Sequence, residues 1–204
     1  MTILSPEKNK RRTSNNLLMV HEPSRGEILV ANLVLKTFLR PTYSRFVRDL
    51  GLAGNEYVMD FGSGPGVMSR MIAIRLRNGH LTCVDASHNW IEVARNNLDG
   101  LENVDLRLGN ISDISFPSGF DIVVIHYVLH DVPRNQRESM VKALASNLEV
   151  EGRIVIMEPT KDSHGMPAAE ITELMQSAGL IEINSLMRRS SYSGVFGFPS
   201  DHSS

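Results

Sequence analysis

The segment Val58-Met59-Asp60-Phe61-Gly62-Ser63-Gly64-Pro65-Gly66 runs an apolar strand straight into a glycine-rich turn and then an amphipathic helix. Gly62, Gly64 and Gly66 remove side chains where the backbone must turn sharply and touch a ligand, while helix-terminal N–H groups and Asp60 offer polar partners. At the end of the next strand Asp85 follows Val84, where its two oxygens can accept both hydroxyls of a ribose. A dinucleotide loop would read G-x-G-x-x-G, but Val67 stands at the third glycine and Pro65 lies in the turn, which weakens that alternative. A second chemistry-bearing stretch reads His126-Tyr127-Val128-Leu129-His130-Asp131-Val132-Pro133. The His130 imidazole could take a hydroxyl proton near neutral pH, Asp131 is placed to cap a helix beginning near Pro133, and His126 either lines a cavity or bonds to backbone in the core. The remaining histidines show no ligand spacing such as H-E-x-x-H, so no metal site is expected.

These residues need a scaffold, and from Glu56 onward short apolar runs alternate with helical periods, the pattern of a parallel sheet flanked by helices. Tyr57 to Phe61, Leu81 to Val84, Val104 to Leu108, Asp121 to Tyr127 and Arg153 to Met157 read as five strands, and Ile181 to Leu186 with Tyr192 to Phe198 as a closing hairpin. Amphipathic faces fall at Met68, Met71, Ile72 and Leu76; at Ile91, Ala94 and Leu98; at Val141, Leu144 and Leu148; and at Ile171, Leu174, Met175 and Ala178. Phe116 to Gly119 is too short for a helix, so the third and fourth strands are joined mainly by loop. The fold class is therefore α/β, a Rossmann-like doubly wound seven-stranded sheet with a C-terminal antiparallel hairpin and a short N-terminal helical lid.

Ahead of the sheet, residues 1–24 read as a flexible tail ending at Ser24, a helix cap, and residues 25–52 as the lid, leaving 53–204 as the main domain. The lid holds an unusually apolar helix from Glu27 to Leu39 and a shorter one bearing Tyr43, Phe46, Val47 and Leu50 that stops at Gly51. Such an apolar helix is buried over the pocket, forms a homodimer interface, or contacts a lipid chain. The basic cluster Lys8, Lys10, Arg11 and Arg12 is read as a solvated terminus.

The 204 residues, 42% of them hydrophobic, can bury one sizeable core. The 21 basic side chains nearly balance 23 acidic ones, leaving a net charge of -2 that does not favour nucleic acid as a partner. Cys83 is the single cysteine and lies in an apolar run, so neither an internal disulfide nor a thiolate cluster is available, and a reducing, cytoplasmic setting fits. No apolar stretch approaches the roughly 20 residues that span a bilayer.

The D-x-G-x-G-x-G run followed by a strand-ending acid resembles the cofactor signature of class I S-adenosylmethionine (SAM)-dependent methyltransferases. Gly109-Asn110-Ile111 is similar to that family's adenine-contacting step, Phe120 to Tyr127 to its fourth strand, Glu151-Gly152-Arg153 to the turn before its fifth, and Ala178-Gly179-Leu180 to a later helix end. The resemblance implies that Gly62, Ser63, Gly64 and Gly66 approach the methionyl and ribose parts, and that Asp60 organises the methionyl ammonium through the loop. It further implies that Asp85 binds the ribose, that Ala86 and Trp90 border adenine, that Asn110 and Ile111 meet its edge, and that His126 lines the same cavity. Trp90 packed on the sheet is the plainer alternative. Asn110 departs from the family's usual Asp, though its amide oxygen also accepts hydrogen bonds. Leu129-His130-Asp131 is similar to the motif of small-molecule O-methyltransferases, in which the histidine is the general base, and Glu158 resembles the acid that orients it; related methyltransferases without a base also have histidine here, so a structural role for His130 is the alternative.

The resemblance implies methyl transfer to a small-molecule acceptor at oxygen, nitrogen or carbon. The Asn-Pro-Pro-aromatic signature of amino-group methylases is missing, His126 to Val128 standing in its place. Alternatives are methylation of a lipid or quinone head group and a non-catalytic SAM-binding module.

Overall fold

The computed structural model describes residues 22–24, 26–28, 30, 40–161 and 165–200. Gly26 to Ile28 and Val30 are helical, and the rest of the helix expected over Glu27–Leu39 lies outside the described residues, as does the basic cluster at residues 8–12. Ser24 does cap: its Oγ accepts the Glu27 N–H at 3.3 Å while the Glu27 carboxylate accepts the Ser24 N–H at 2.7 Å, a reciprocal capping box.

The elements follow in the order α1 (Arg40–Asp49), β1 (Tyr57–Phe61), α2 (Val67–Ala73), β2 (His80–Asp85), α3 (His88–Asn97), β3 (Val104–Leu108), β4 (Phe120–His126), α4 (Arg134–Ala145), β5 (Leu148–Pro159), α5 (Ala168–Ser177), β6 (Ile181–Met187) and β7 (Ser191–Gly197). They build one seven-stranded sheet in the order β3-β2-β1-β4-β5-β7-β6. The first five strands are parallel, and β7 inserts antiparallel between β5 and β6. The chain winds outward from β1 to β3 and then crosses back to place β4 on the other side of β1. The connections therefore leave in opposite directions and open a crevice beyond the strand ends. Between β3 and β4 the chain forms only a short 3-10 turn, Ile111–Asp113, in keeping with a connection that is mainly loop.

Strands buried on both faces explain why the sequence shows near-continuous apolar runs. In β1 and β4, Val58, Ile122 and Val124 point into a cluster with Tyr43, Phe46 and Val47 of α1, Met68 and Ile72 of α2 and Ala94 of α3. Their neighbours Met59, Val123 and Ile125 point the other way, onto Met140, Val141 and Leu144 of α4 and Ile171 and Met175 of α5. Cys83 is fully buried in the first of these clusters. Each fully buried aliphatic or aromatic side chain contributes about 1.5–3 kcal/mol relative to exposure. The strand β5 is longer than expected because it begins at Leu148, which pairs with Phe120 of β4 ahead of a register shift, with regular pairing resuming at Arg153 opposite Ile122.

Candidate active site

The crevice holds a cavity of about 720 Å³ walled by the segments that follow β1, β2, β3 and β4 together with α1 and α4. That volume lies within the range typical of small-molecule sites. Asp60, Gly62, Ser63, Gly64, Asp85, Ala86, Trp90, Asn110 and His126 all line it. Gly66 does not, nor do Ile111, His130 and Glu158.

The three glycines serve different ends. Gly62, at φ +72°, could carry no Cβ, which would lie 2.5 Å from Val128; it is required where the loop meets the turn after β4. Gly66, at φ +74°, faces Leu98 and Ala94 at 3.1–3.2 Å and seats the start of α2 against α3. Gly64, at φ +52°, has open space where a Cβ would be, so here bare backbone borders the cavity. Open space beside the backbone thus belongs to Gly64, whereas the positions of Gly62 and Gly66 are closely packed.

Around Gly64 the polar groups are tied together. The Gly64 N–H donates to one Asp85 oxygen at 2.8 Å and the Ser87 N–H to the other at 2.9 Å, so the strand-ending acid grips the loop. The Ala86 amide also bonds this carboxylate, and of its roughly four acceptor positions some stay open. Burial pushes the Asp85 carboxyl upward against these hydrogen bonds. Asp60 is buried, accepts the Ser69 hydroxyl at 2.6 Å, and is pushed up to about 6 by burial. Ser63 Oγ is buried with no partner among the described residues. Asn110 spends its oxygen partly on the Ser112 N–H at 3.2 Å, capping the 3-10 turn. That turn sends Ile111 into the core, where it is 1% exposed, so its side chain takes no part in the cavity wall.

The opposite wall is aromatic. His126 sits among Tyr43, Phe46 and Tyr127, with ring centroids at 5.1, 4.8 and 4.5 Å. Its Nε2 has no partner among the described residues, and burial lowers its pKa to about 4, so the ring is neutral. Tyr127 holds a left-handed backbone at φ 58°, uncommon for a bulky residue and of the kind found at functional sites.

Behind this wall, His130 Nδ1 lies 2.7 Å from Glu158 Oε2, and the same fully buried carboxylate accepts the N–H groups of Val128 and Leu129 through Oε1. The hydrogen bond from Glu158 raises the His130 pKa against partial burial. Arg137 clamps the turn from the other side, donating to the carbonyls of Val132 and His130 at 2.9 Å. Asp131 does not cap α4, whose N-cap is Pro133 with no side-chain bond; it is exposed and lies 3.4 Å from His130 Nε2. With Pro133 as the N-cap, Asp131 lies two residues outside the helix and away from the N2 and N3 amides that a capping oxygen bonds. Sequence reasoning missed Glu22, whose carboxylate accepts the Ser87 hydroxyl at 2.8 Å and the amides of His88 and Asn89 at 2.9 and 3.2 Å. Its partners lie more than sixty residues along the chain, so no local pattern marks it.

A family model described as "Methyltransferase domain" matches residues 58–152, from the opening strand to the turn within β5. Residues 58–152 are thus similar to a methyltransferase domain. It is 33% identical over 131 residues to a demethylmenaquinone methyltransferase of Tropheryma whipplei, covering 62% of this chain and 52% of that one. It is 34% identical over 109 residues to a carboxy-S-adenosyl-L-methionine synthase of Campylobacter fetus, covering 52% and 46%. The chain therefore spans about half the length of these curated relatives. Among solved structures, the N-methyltransferase NodS of Bradyrhizobium japonicum, in complex with S-adenosyl-L-homocysteine (SAH), superposes with a TM-score of 0.70 at 17% identity over 83% of this chain and 91% of that one. At that identity the likeness to NodS shows a shared fold alone. No helix among the described residues is long and apolar enough to cross a membrane.

Proposed function

We propose that this chain transfers a methyl group from SAM to a small-molecule acceptor. The observation that carries the reading is the joined pair of Gly64 and Asp85, bare backbone and a gripping carboxylate at one rim of the crevice. This rim fits an adenosyl amino acid: Asp85 retains acceptor positions for the ribose hydroxyls, and Ser63 Oγ is a buried polar atom awaiting a partner. Ala86, Trp90 and Asn110 border the adenine, and Asp60 steadies the loop at the methionyl end. When bound, SAM supplies a methyl group already activated on a sulfonium.

The residues of the chain then have three tasks: to orient the acceptor in line, to exclude water, and to accept a proton where the acceptor is a hydroxyl. Tyr43, His126 and Tyr127 supply an aromatic wall for a flat acceptor. His130, donating through Nδ1 to Glu158 from behind the aromatic wall, would receive that proton at Nε2, which lies 3.4 Å from the cavity-lining Asp131. A second, finer reading is a quinone-type head group as acceptor, favoured by the aromatic wall together with the likeness to the demethylmenaquinone enzyme.

Incubation with methyl-labelled SAM and a metabolite extract, including reduced quinones, tests both. Label appearing in a small molecule supports methyl transfer, and label in a reduced quinone supports the finer reading. SAH binding without any transfer of label would leave a binding module, and absence of SAH binding would overturn the cofactor itself.

A further inference from the structure

Helix α3 starts at the cavity, and its first amides would be unsatisfied by the helix itself. Ser87 caps it locally, accepting the Trp90 N–H at 3.1 Å. The amides of His88 and Asn89 go instead to Glu22, more than sixty residues earlier, and Ser87 gives the same carboxylate its single hydroxyl proton. That commitment turns the Ser87 lone pairs toward Trp90, a residue of the cavity wall. The Ser87 N–H meanwhile holds one oxygen of Asp85, and the Gly64 N–H holds the other. A continuous series of hydrogen bonds therefore runs from Glu22 through Ser87 and Asp85 to the glycine loop. Hydrogen bonds from Ser87, His88 and Asn89 outweigh desolvation and keep the Glu22 carboxyl below its ordinary range, so it is ionised at neutral pH.

The residues directly after Glu22 are pinned twice. Pro23 is buried, restricts the backbone, and accepts the Asn89 side-chain amide at 3.1 Å through its carbonyl. Directly after it, Ser24 and Glu27 close the capping box that starts the next helix. Local capping of α3 is already met by Ser87, and a second carboxylate near Asp85 raises the Asp85 pKa further, after the larger effect of burial. An added like charge is tolerated where it holds a turn that the site needs.

We propose that Glu22 is a positioning residue of the cofactor site: seated on the start of α3, it fixes the Asp85–Ser87 turn and with it the pose of the ribose-binding carboxylate. The proposal rests on the SAM reading above. It predicts that contact from the N-terminal segment is worth affinity for the adenosyl ligand, although Glu22 is not among the residues lining the cavity.

Calorimetry with SAH on the full chain tests it, comparing wild type, E22Q, E22A, D85A and the E22A/D85A pair, with folding checked by circular dichroism. E22A is expected to weaken SAH binding about five- to tenfold, and the isosteric E22Q about two- to fivefold. In the double variant the loss should not exceed that of D85A alone, because Glu22 acts through Asp85; a residue that merely stabilised the helix would give additive losses. Amide exchange of the peptide covering His88 and Asn89 should accelerate in E22Q and be slowed less by SAH than in wild type. SAH binding by E22Q and E22A within twofold of wild type, or additive losses with D85A, would overturn the proposal while leaving the cofactor reading intact. Failure of the wild-type chain to bind SAH would overturn both.

Discussion

The two rims of the crevice are built on opposite principles. At the rim beyond β1 and β2 polar groups, Ser63 Oγ excepted, find partners in one another: Gly64 and Ser87 donate to Asp85, Ser69 to Asp60, and the Ser87 hydroxyl to Glu22. At the rim beyond β4 the same degree of burial leaves His126 Nε2 unpaired among aromatic rings, while four residues later His130 is paired with a buried carboxylate. Burial lowers the first imidazole to about 4, and the Glu158 hydrogen bond raises the second. Similar side chains in one turn thus acquire opposite tendencies because one has a counter-charge and the other does not. A rim whose Asp85 carboxylate is fixed by backbone amides suits a constant ligand, and an aromatic rim suits a flat one.

Perturbing the acceptor rim should give the largest effect. His130→Ala is expected to lower turnover about a hundredfold or more if the residue takes the proton. SAH affinity, measured by calorimetry, should remain unchanged. In the wild type the rate should climb as pH rises through the raised His130 pKa, since only the deprotonated ring accepts a proton, and Glu158→Gln should move that limb to lower pH. A normal rate in the Ala variant would assign His130 to structure.

Next in size is the cofactor rim. Asp85→Ala is expected to cost on the order of 1.5–3 kcal/mol in SAH binding, the worth of hydrogen bonds to a charged group. Turnover at saturating SAM should change far less than affinity, and the reverse pattern would exchange the roles of the two rims.

A smaller effect should come from His126→Phe, which removes an unsatisfied nitrogen while keeping a ring against Tyr43 and Phe46. Thermal unfolding at pH 7 is expected to show equal stability or a gain of up to about 1 kcal/mol. Because the folded-state pKa of His126 lies below the unfolded value, its contribution is lost as pH falls from about 6.5 toward 4, and the Phe variant should lose less stability over that window. His130 has the opposite sign: its raised pKa stabilises the fold below the unfolded value and that gain disappears as pH rises through the folded one. Equal acid sensitivity of wild type and the Phe variant would show that desolvation does not govern this histidine.

Much of this molecule was legible in the amino-acid order because the features concerned are local or periodic. Strands buried on both faces write themselves as apolar runs, and the turn after β1 announces itself through glycine spacing. The hairpin at Ile181–Met187 and Ser191–Gly197 was readable from two such runs and a polar turn. What escaped depends on distance along the chain. Glu22 meets its partners through tertiary approach, and the division of labour among Gly62, Gly64 and Gly66 is decided by Val128, Leu98 and Ala94, none of which the loop can foretell. Ile111 follows a similar rule, its direction set by a 3-10 turn capped by Asn110. The left-handed Tyr127 has no sequence signature at all, since ordinary propensity would place glycine or asparagine there.

The contact between position 62 and Val128 also constrains the order in which this chain can diverge. Two separate obstacles guard Gly62, collision with the valine methyls and a backbone that L side chains resist. Shrinking Val128 would remove the first and leave the second, so a suppressor at 128 can only partly rescue a replacement at 62. Lineages descending from this sequence should accordingly vary at 128 while retaining glycine at 62, and the inverse combination should be rare.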